Sequence, residues 1–518
     1  MANVSALRKG TGMMCFMASL ALFSLPCTAL CQAPGTNLIV LIADDLGRDS
    51  LGIYNSNPTA SIPPTPTLDS MAAGGISFER FYTMPVCSPT RACIMTGRFG
   101  FRNGVLEAIV GNTPVLEPNE FTLPEALLAS GVTGSRLKQI GKWHLGDGLT
   151  APNDIGGWPD FSGAISGALG DYFSWPKVVN GVQSTSTTYA TTDNVNDAIS
   201  FVQGQGEDPW FLWVAFNAPH TPFHKPPNDL HSYDSLPGTQ VDIDANPRDY
   251  YEAMVEALDT EIGRLMGVVD LADTTVIFLG DNGTPRNVIQ NPFGPSHSKG
   301  SLYEGGVNTP LIIRGAAVAN PGTVSTDVIH CVDLYATILE LFGVAPTSVI
   351  PTGFPTDSQS FLPLITGETF SPARLTVLSE ITGSGRCAVE GNYKLISFVS
   401  GAEEMYDISA SLRENSDLLN GTLGATELAA YSSLRAQLDA FVNLPDIVSV
   451  SGDPSDHFDL SMSWFSGAAF TLFRSPDLTD ESWTEVTDAE LIDEGGQTII
   501  LRDPDPPADK AFYRATAP

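Results

Sequence analysis

The sequence predicts an α/β fold: a central, mostly parallel sheet flanked by helices. Three observations predict it. Apolar runs without alternation recur along the chain, as expected for strands buried on both faces. Stretches with helical periodicity separate them. Each of three such runs stops at polar residues able to carry chemistry, and open α/β sheets bind ligands beyond the carboxyl ends of their strands.

Before the first strand, residues 1–31 read as an export signal. Arg8 and Lys9 form a basic start, and Met13 to Leu25 is apolar but too short to span comfortably as an anchor. Small residues follow, with cleavage expected between Ala29 and Gln32. Leu30 is bulky for the residue before a lipidated cysteine, which argues against lipidation at Cys31. No later segment reads as a membrane span. The mature protein is expected to be soluble, without stable membrane insertion, and periplasmic or secreted.

Asn37 to Ala43 is the first buried strand and ends at Asp44-Asp45. Thr122-Leu-Pro-Glu125 opens a helix with a capping-box pattern and an early proline, and Gly131 stops it. Trp210 to Phe216 is the second strand, followed by Asn217 and His220. Tyr250 to Val269 is helical, with Met254, Leu258, Ile262 and Leu265 on one face. Thr274 to Leu279 is the third strand, followed by Asp281-Asn282, and Asp333 to Phe342 is a further amphipathic helix. If the three strands are neighbours, Asp44, Asp45, His220, Asp281 and Asn282 converge on one site.

A smaller α+β unit follows, with strands at Leu375 to Ser379 and Tyr393 to Ser397 and a helix at Thr426 to Phe441. After Pro445 the texture changes. Residues 446–518 carry 15 acidic and 4 basic side chains. Short alternating strands there, such as Phe470 to Phe473 and Thr498 to Leu501, suggest a small β-sandwich. The expected organisation is a signal peptide at 1–31, a catalytic α/β domain at 32–371, an α+β subdomain at 372–444 and an acidic β-rich accessory domain at 445–518.

Composition narrows the function classes. Lys+Arg 26 against Asp+Glu 59 gives a formal net charge of −33, which argues against nucleic acid or anionic lipid as partner. An anionic small substrate stays possible if cations are gathered in one pocket. Of 7 cysteines, Cys15, Cys27 and Cys31 fall in the leader. Cys87, Cys93, Cys331 and Cys387 show no C-x-x-C spacing, which argues against a zinc–cysteine site and a disulfide scaffold.

The densest stretch is Cys87-Ser-Pro-Thr-Arg91-Ala-Cys-Ile-Met-Thr96-Gly97-Arg98. Pro89 suits a first helical turn and Gly97 a helix end. Cys87 then sits at a helix N-terminus, where free N–H groups favour anions, and Arg91 one turn later can hold an oxyanion. Cys93 is read as a buried residue on the inner face. Two carboxylates after one strand, and a carboxylate with an amide after another, suit Ca²⁺, which prefers several oxygen ligands.

Cys-x-Pro-x-Arg followed by Thr-Gly resembles the signature of the type I sulfatases of the alkaline phosphatase superfamily, in which the cysteine is oxidised to formylglycine. Other blocks resemble that family in its order: Asp44-Asp45, Gly141-Lys142-Trp143-His144-Leu145-Gly146, Ala218-Pro219-His220-Thr221-Pro222, Asp281-Asn282-Gly283, His297-Ser-Lys299-Gly300 and Tyr303-Glu304-Gly305-Gly306. The resemblance runs from about Asn37 to Val442. His144, His220 and His297 lie in these blocks. His224, His231, His330 and His457 do not, and are read as structural.

The resemblance implies an alkaline-phosphatase-like sandwich and an exported sulfatase. It implies one Ca²⁺, with Mg²⁺ the second choice, held by Asp44, Asp45, Asp281, Asn282 and residue 87. It also implies a maturation enzyme that generates formylglycine. One hydroxyl of the hydrated aldehyde would attack sulfur with help from Asp281 and the metal. The second would lose a proton to His144 and expel sulfate. Lys142, Lys299, Arg91 and the metal would neutralise the charge, while His220 and Lys299 would assist the leaving oxygen.

The expected substrate is a sulfated small molecule or oligosaccharide. The rivals are a phosphonate monoester or phosphodiester hydrolase of the same superfamily and a non-catalytic exported binding protein. The full residue set argues against the latter. Specificity is expected from segments at Asp147 to Gln183 and Leu230 to Asn246, with Trp158, Tyr172, Phe173 and Trp175 read as packing.

Overall fold

The computed structural model describes residues 37–110, 115–146, 150–351, 354–372, 374–409 and 411–442. It also describes segments 447–451, 458–463, 471–475, 484–487, 490–493, 498–504 and 512–516. The expected export signal, residues 147–149 of the first expected specificity segment, and Phe470 of an expected strand lie outside the described residues.

Ten strands form one sheet: β1 (Asn37–Ala43), β2 (Gly75–Phe78), β3 (Leu137–Lys142), β4 (Phe161–Ala164), β5 (Trp175–Val179), β6 (Val182–Ser186), β7 (Phe211–Ala215), β8 (Thr274–Gly280), β9 (Leu311–Gly315) and β10 (Thr323–Ser325). Their order is β10-β2-β9-β8-β1-β7-β3-β4-β5-β6. The central strands β8, β1, β7, β3 and β4 run parallel, and β9, β5 and β6 bring antiparallel pairs.

β1 shows why the sequence folds this way. Leu38, Val40 and Ile42 enter the core on one face, and Ile39, Leu41 and Ala43 enter the core on the other. A strand covered on both faces has no position that tolerates a polar side chain, so the run is continuously apolar. Each fully buried Leu or Ile contributes about 1.5–3 kcal/mol.

Helices cover both faces. α1 (Pro66–Ala73), α4 (Ala190–Gln203) and α5 (Pro247–Met266) pack on the side of Ile39 and Leu41. α2 (Cys87–Thr96), α3 (Leu123–Ala129) and α6 (Leu334–Leu341) pack on the side of Leu38 and Val40. The Thr122/Glu125 capping box forms, the Glu125 carboxylate accepting the Thr122 N–H at 2.8 Å. α5 starts three residues before its apolar periodicity does, because Pro247 is suited to the first helical position.

The segment expected to supply specificity at 147–183 contributes β4 and β5 to the sheet. Trp158, Tyr172 and Trp175 are buried there, whereas Phe173 is 41% exposed. The second segment, Leu230 to Asn246, contains the helix Gln240–Ala245.

Beyond the large sheet, β11 (Thr376–Ile381), β12 (Gly385–Glu390), β13 (Tyr393–Phe398) and β14 (Glu403–Asp407) form an antiparallel meander, followed by α7 (Ala425–Val442). After it come a four-stranded sheet (Ile447–Ser451, Phe458–Ser463, Thr498–Asp503, Glu490–Asp493) and a three-stranded one (Thr484–Glu485, Thr471–Ser475, Phe512–Thr516).

Candidate active site

Register places the site. Ala43 at the end of β1 pairs with Gly280 at the end of β8, so Asp44-Asp45 and Asp281-Asn282 leave the sheet side by side. The Asp45 N–H donates to Asp281 Oδ1 at 3.1 Å, and Asn282 Nδ2 donates to Asp45 Oδ1 at 2.9 Å. The convergence expected from strand ends is present for all four residues.

α2 delivers Cys87 to the same point as its first residue. Thr90 fixes the helix there by donating its hydroxyl to the Asp281 carbonyl at 2.7 Å. Gly97 closes the helix in a left-handed conformation, φ 68°, and a Cβ there would meet the Tyr335 ring at 2.9 Å. Ligand atoms of Asp44, Asp45, Cys87 and Asp281 all lie within 4.8 Å of one another, and all four residues are buried.

Cations surround this cluster. Lys142, at the end of β3, reaches Asp44 Oδ2 at 2.6 Å. Lys299 Nζ lies 2.5 Å from Asp45 Oδ1 and 3.5 Å from Cys87 Sγ. His220 Nε2 lies 3.8 Å from Asp45 Oδ2. The Arg91 guanidinium donates to Asp281 Oδ2 at 2.7 and 3.2 Å and to the Lys142 carbonyl at 3.2 Å. Arg91 is expected from the sequence to hold an oxyanion. In the structure its buried fork pairs with Asp281 and the Lys142 carbonyl, which makes it a brace between strand ends.

His144 follows two residues after Lys142 in a left-handed conformation, φ 59°, and Asp45 shares that region at φ 69°. Non-glycine residues held there store on the order of 1–3 kcal/mol of strain, and such residues cluster at functional sites. A Cβ at Gly167 would stand 2.1 Å from His144 Nε2, so only glycine leaves room for that ring.

The electrostatics follow from burial and charge. Burial alone would raise Asp44, but Lys142, His220, Arg91 and Lys299 outweigh it and hold the carboxylate well below the usual range. Burial, then Asp44, pushes Asp281 up to about 6. The same two causes push the Cys87 thiol up to about 12. Burial and the neighbouring Lys142 and Arg91 hold His144 well below the ordinary histidine value.

Residues around the cluster brace it. Tyr251 donates its hydroxyl to the Asp45 carbonyl at 2.9 Å, and the Tyr172 hydroxyl lies 2.6 and 2.8 Å from the Asn217 and His220 carbonyls. His297 stacks on Tyr303 at 3.8 Å between ring centroids, and its Nδ1 lies 3.1 Å from the Arg413 carbonyl. Glu304, in the segment after Lys299, is paired with buried Lys394 of β13 at 3.0 Å, and Lys394 also meets Glu414 at 2.9 Å.

The Sulfatase family model matches residues 36–344. The chain belongs to the sulfatase family. Arylsulfatase J of Mus musculus is 28% identical over 330 residues, covering 59% of this chain and 52% of that protein. N-acetylgalactosamine-6-sulfatase of Canis lupus familiaris is 30% identical over 352 residues, covering 60% of this chain and 63% of that protein. The chain thus spans between half and two-thirds of the length of these two relatives. Arylsulfatase A of Homo sapiens is 27% identical over 508 residues, covering 82% of this chain and 93% of that protein.

Solved structures share the fold. Ps i-CgsB superposes with a TM-score of 0.67 at 23% identity, covering 79% of this chain and 92% of that one. The putative sulfatase yidJ from Bacteroides fragilis gives 0.65 at 20% identity, covering 79% and 96%. The sulfatase match ends at residue 344, before β11.

Proposed function

We propose that this protein is an exported sulfuric ester hydrolase acting on a sulfated carbohydrate, with Cys87 oxidised to formylglycine and one Ca²⁺ at the strand ends. The observation that carries the reading is the meeting of Cys87 with three carboxylates and three permanent cations at one buried point.

The residues fit a hard cation. Asp44 Oδ1 and Asn282 Oδ1 are buried acceptors without a hydrogen-bond partner among the described residues. A buried oxygen left unpaired is costly, and a cation satisfies it. Asp44, Asp45, Asp281 and Asn282 would hold the ion, with residue 87 beside it. Oxygen ligands favour calcium first and magnesium second.

An unmodified thiol is poorly suited to the reaction. Its attack on sulfur would give a thiosulfate ester that does not collapse by itself, and burial keeps Cys87 protonated. A hydrated formylglycine would supply one hydroxyl to attack sulfur and a second whose deprotonation would re-form the aldehyde and expel sulfate with the first oxygen, and calcium would supply positive charge beside them.

The chain's own residues divide the remaining work. Asp281, whose carboxylate Arg91 holds in place, takes a proton from the attacking hydroxyl. His144 takes the later proton on the ring nitrogen left free. His220 and Lys299, with side chains 17% and 20% exposed, stand where an alcohol would depart and stabilise its oxygen. Lys142 fixes Asp44. Asp44, Asp45 and Asp281 against Lys142, Lys299 and Arg91 leave the pocket near neutral, so a divalent cation makes it an anion site within a chain of net charge −33.

Two further features support parts of the reading. The N-terminal basic and apolar pattern supports export, and among the described residues no helix is long and apolar enough to cross a membrane. Similarity to N-acetylgalactosamine-6-sulfatase supports a sulfated sugar as substrate.

The test has two parts. Mass spectrometry of active protein is expected to show formylglycine at position 87. The ratio of kcat/KM for aryl sulfate over aryl phosphonate monoester is expected to exceed one. Full activity with an unmodified thiol, or preference for the phosphonate, would overturn the reading.

A further inference from the structure

The four proposed metal residues lie on two loops, one after β1 and one after β8. Their oxygens bind a cation tightly only if the loops are held at a fixed separation before the ion arrives. Two hydrogen bonds that join the loops, from the Asp45 N–H to Asp281 Oδ1 and from Asn282 Nδ2 to Asp45 Oδ1, involve the metal residues themselves. A bound ion competes for those same oxygens.

Another link uses none of them. Thr284 Oγ1 accepts the N–H of Gly47 at 3.1 Å and donates to Asp49 Oδ1 at 2.6 Å. Thr284 and Asp49 are both fully buried. The second Asp49 oxygen accepts the Gln290 N–H at 3.1 Å and lies 3.6 Å from the Arg248 guanidinium. The carboxylate is thereby fixed at both ends. Gly47 must be glycine for the loops to approach this closely, since a Cβ there would stand 2.6 Å from Thr284 Oγ1. Tyr251 braces the same corner, 3.4 Å from Thr284 Oγ1 and hydrogen-bonded to the Asp45 carbonyl.

We propose that Thr284 is a positioning residue for the metal centre: its hydroxyl, aimed by Asp49, clamps the Asp44-Asp45 loop to the Asp281-Asn282 loop. The inference rests on the calcium reading above. A clamp that only stabilised the fold would change the melting temperature of the metal-free protein. A clamp that sets donor spacing changes metal affinity.

The experiment uses the full chain, stripped with a chelator and titrated with Ca²⁺ in a calorimeter. Thr284→Ser keeps the hydroxyl and is expected to bind like the parent. Thr284→Ala and Thr284→Val lack it and are expected to bind about 10- to 100-fold more weakly. Melting without metal is read for each variant. If Ala and Val prevent folding, Asp49→Asn gives the measure: it keeps the side chain's shape but weakens the acceptor, and is expected to lose about 10-fold. Equal affinity in folded variants with and without the hydroxyl, or in Asp49→Asn, overturns the clamp and leaves the metal centre standing. A parent protein that binds no calcium overturns both.

Discussion

His144 donates its Nε2–H to the carbonyl oxygen of Ile109 at 3.1 Å, and its Nδ1 is buried without a hydrogen-bond partner among the described residues. A carbonyl oxygen only accepts, so this contact fixes the neutral tautomer and leaves Nδ1 as the nitrogen able to take a proton. Ile109 is itself held, its N–H donating to Ser88 Oγ at 3.1 Å. Ser88 follows Cys87, so the helix that carries the proposed nucleophile also orients the His144 ring through Ile109.

His144→Ala and His220→Ala are expected to fail differently. Without His144 the later proton has no acceptor, so a chromogenic aryl sulfate should give a burst of about one equivalent of alcohol followed by slow turnover. Without His220 the first step slows and the burst disappears. Either loss should cost about 10²- to 10⁴-fold in turnover. Rapid mixing separates the two, and a burst seen in the His220 variant alone would reverse the assignment.

Arg91→Lys should behave as a severe change despite its unchanged charge. The guanidinium serves Asp281 and the Lys142 carbonyl together, which an ammonium on a shorter reach does not reproduce. Arg91→Ala should cost about 3–5 kcal/mol, because it leaves Asp281 buried without its cation. Chemical denaturation reads both, and a loss under about 1 kcal/mol for the alanine variant would remove the brace from the account.

Lys394→Ala should destabilise in a pH-dependent way. Burial pushes Glu414 up to about 7 even with Lys394 beside it. Without the cation, Glu304 and Glu414 are both raised above their ordinary value. Groups raised in the folded state stabilise below their unfolded pKa and lose that contribution as pH rises through the folded one. The deficit against the parent should therefore be larger at about pH 8 than at about pH 5. Denaturation midpoints at the two pH values check the sign.

His224 supplies an acid-sensitive element of the opposite kind. It packs 4.3 Å from the Tyr172 ring centroid, and burial lowers it to about 4. Between its ordinary value of 6.5 and about 4, the unfolded chain takes up a proton that the folded chain refuses. Stability should therefore fall as pH drops through that window, by at most about 3 kcal/mol. His224→Phe keeps a ring and removes the proton, so its melting temperature should decline less on acidification. An unchanged pH slope would exclude His224 as the source.

The fold was legible where burial allows few choices. β1, β7 and β8 are covered on both faces, so their sequences are nearly pure apolar runs and their ends stand out. β4 and β6 were not legible. Phe161-Ser-Gly-Ala164 is short and rich in small residues, and Val182-Gln-Ser-Thr-Ser186 lies on an open edge with its first four residues exposed. The site residues stood out as motifs. Thr284, Tyr251 and Ile109 did not, because each acts through one or two hydrogen bonds whose partners are remote in sequence. For Arg91 the sequence shows a cation near an anion site but not which carboxylate it pairs with; the structure adds Asp281 and the Lys142 carbonyl as its partners.

The pairing of Lys394 with Glu304 sets an order in time. A ribosome releases Cys87 long before it releases β13, and domains close as their last elements arrive. Until Lys394 emerges, Glu304 lacks its ion-pair partner and the segment behind Lys299 lacks one of its anchors. The sulfur of Cys87, in a residue 1% exposed after folding, is more open to an outside reagent before the chain closes over it than after.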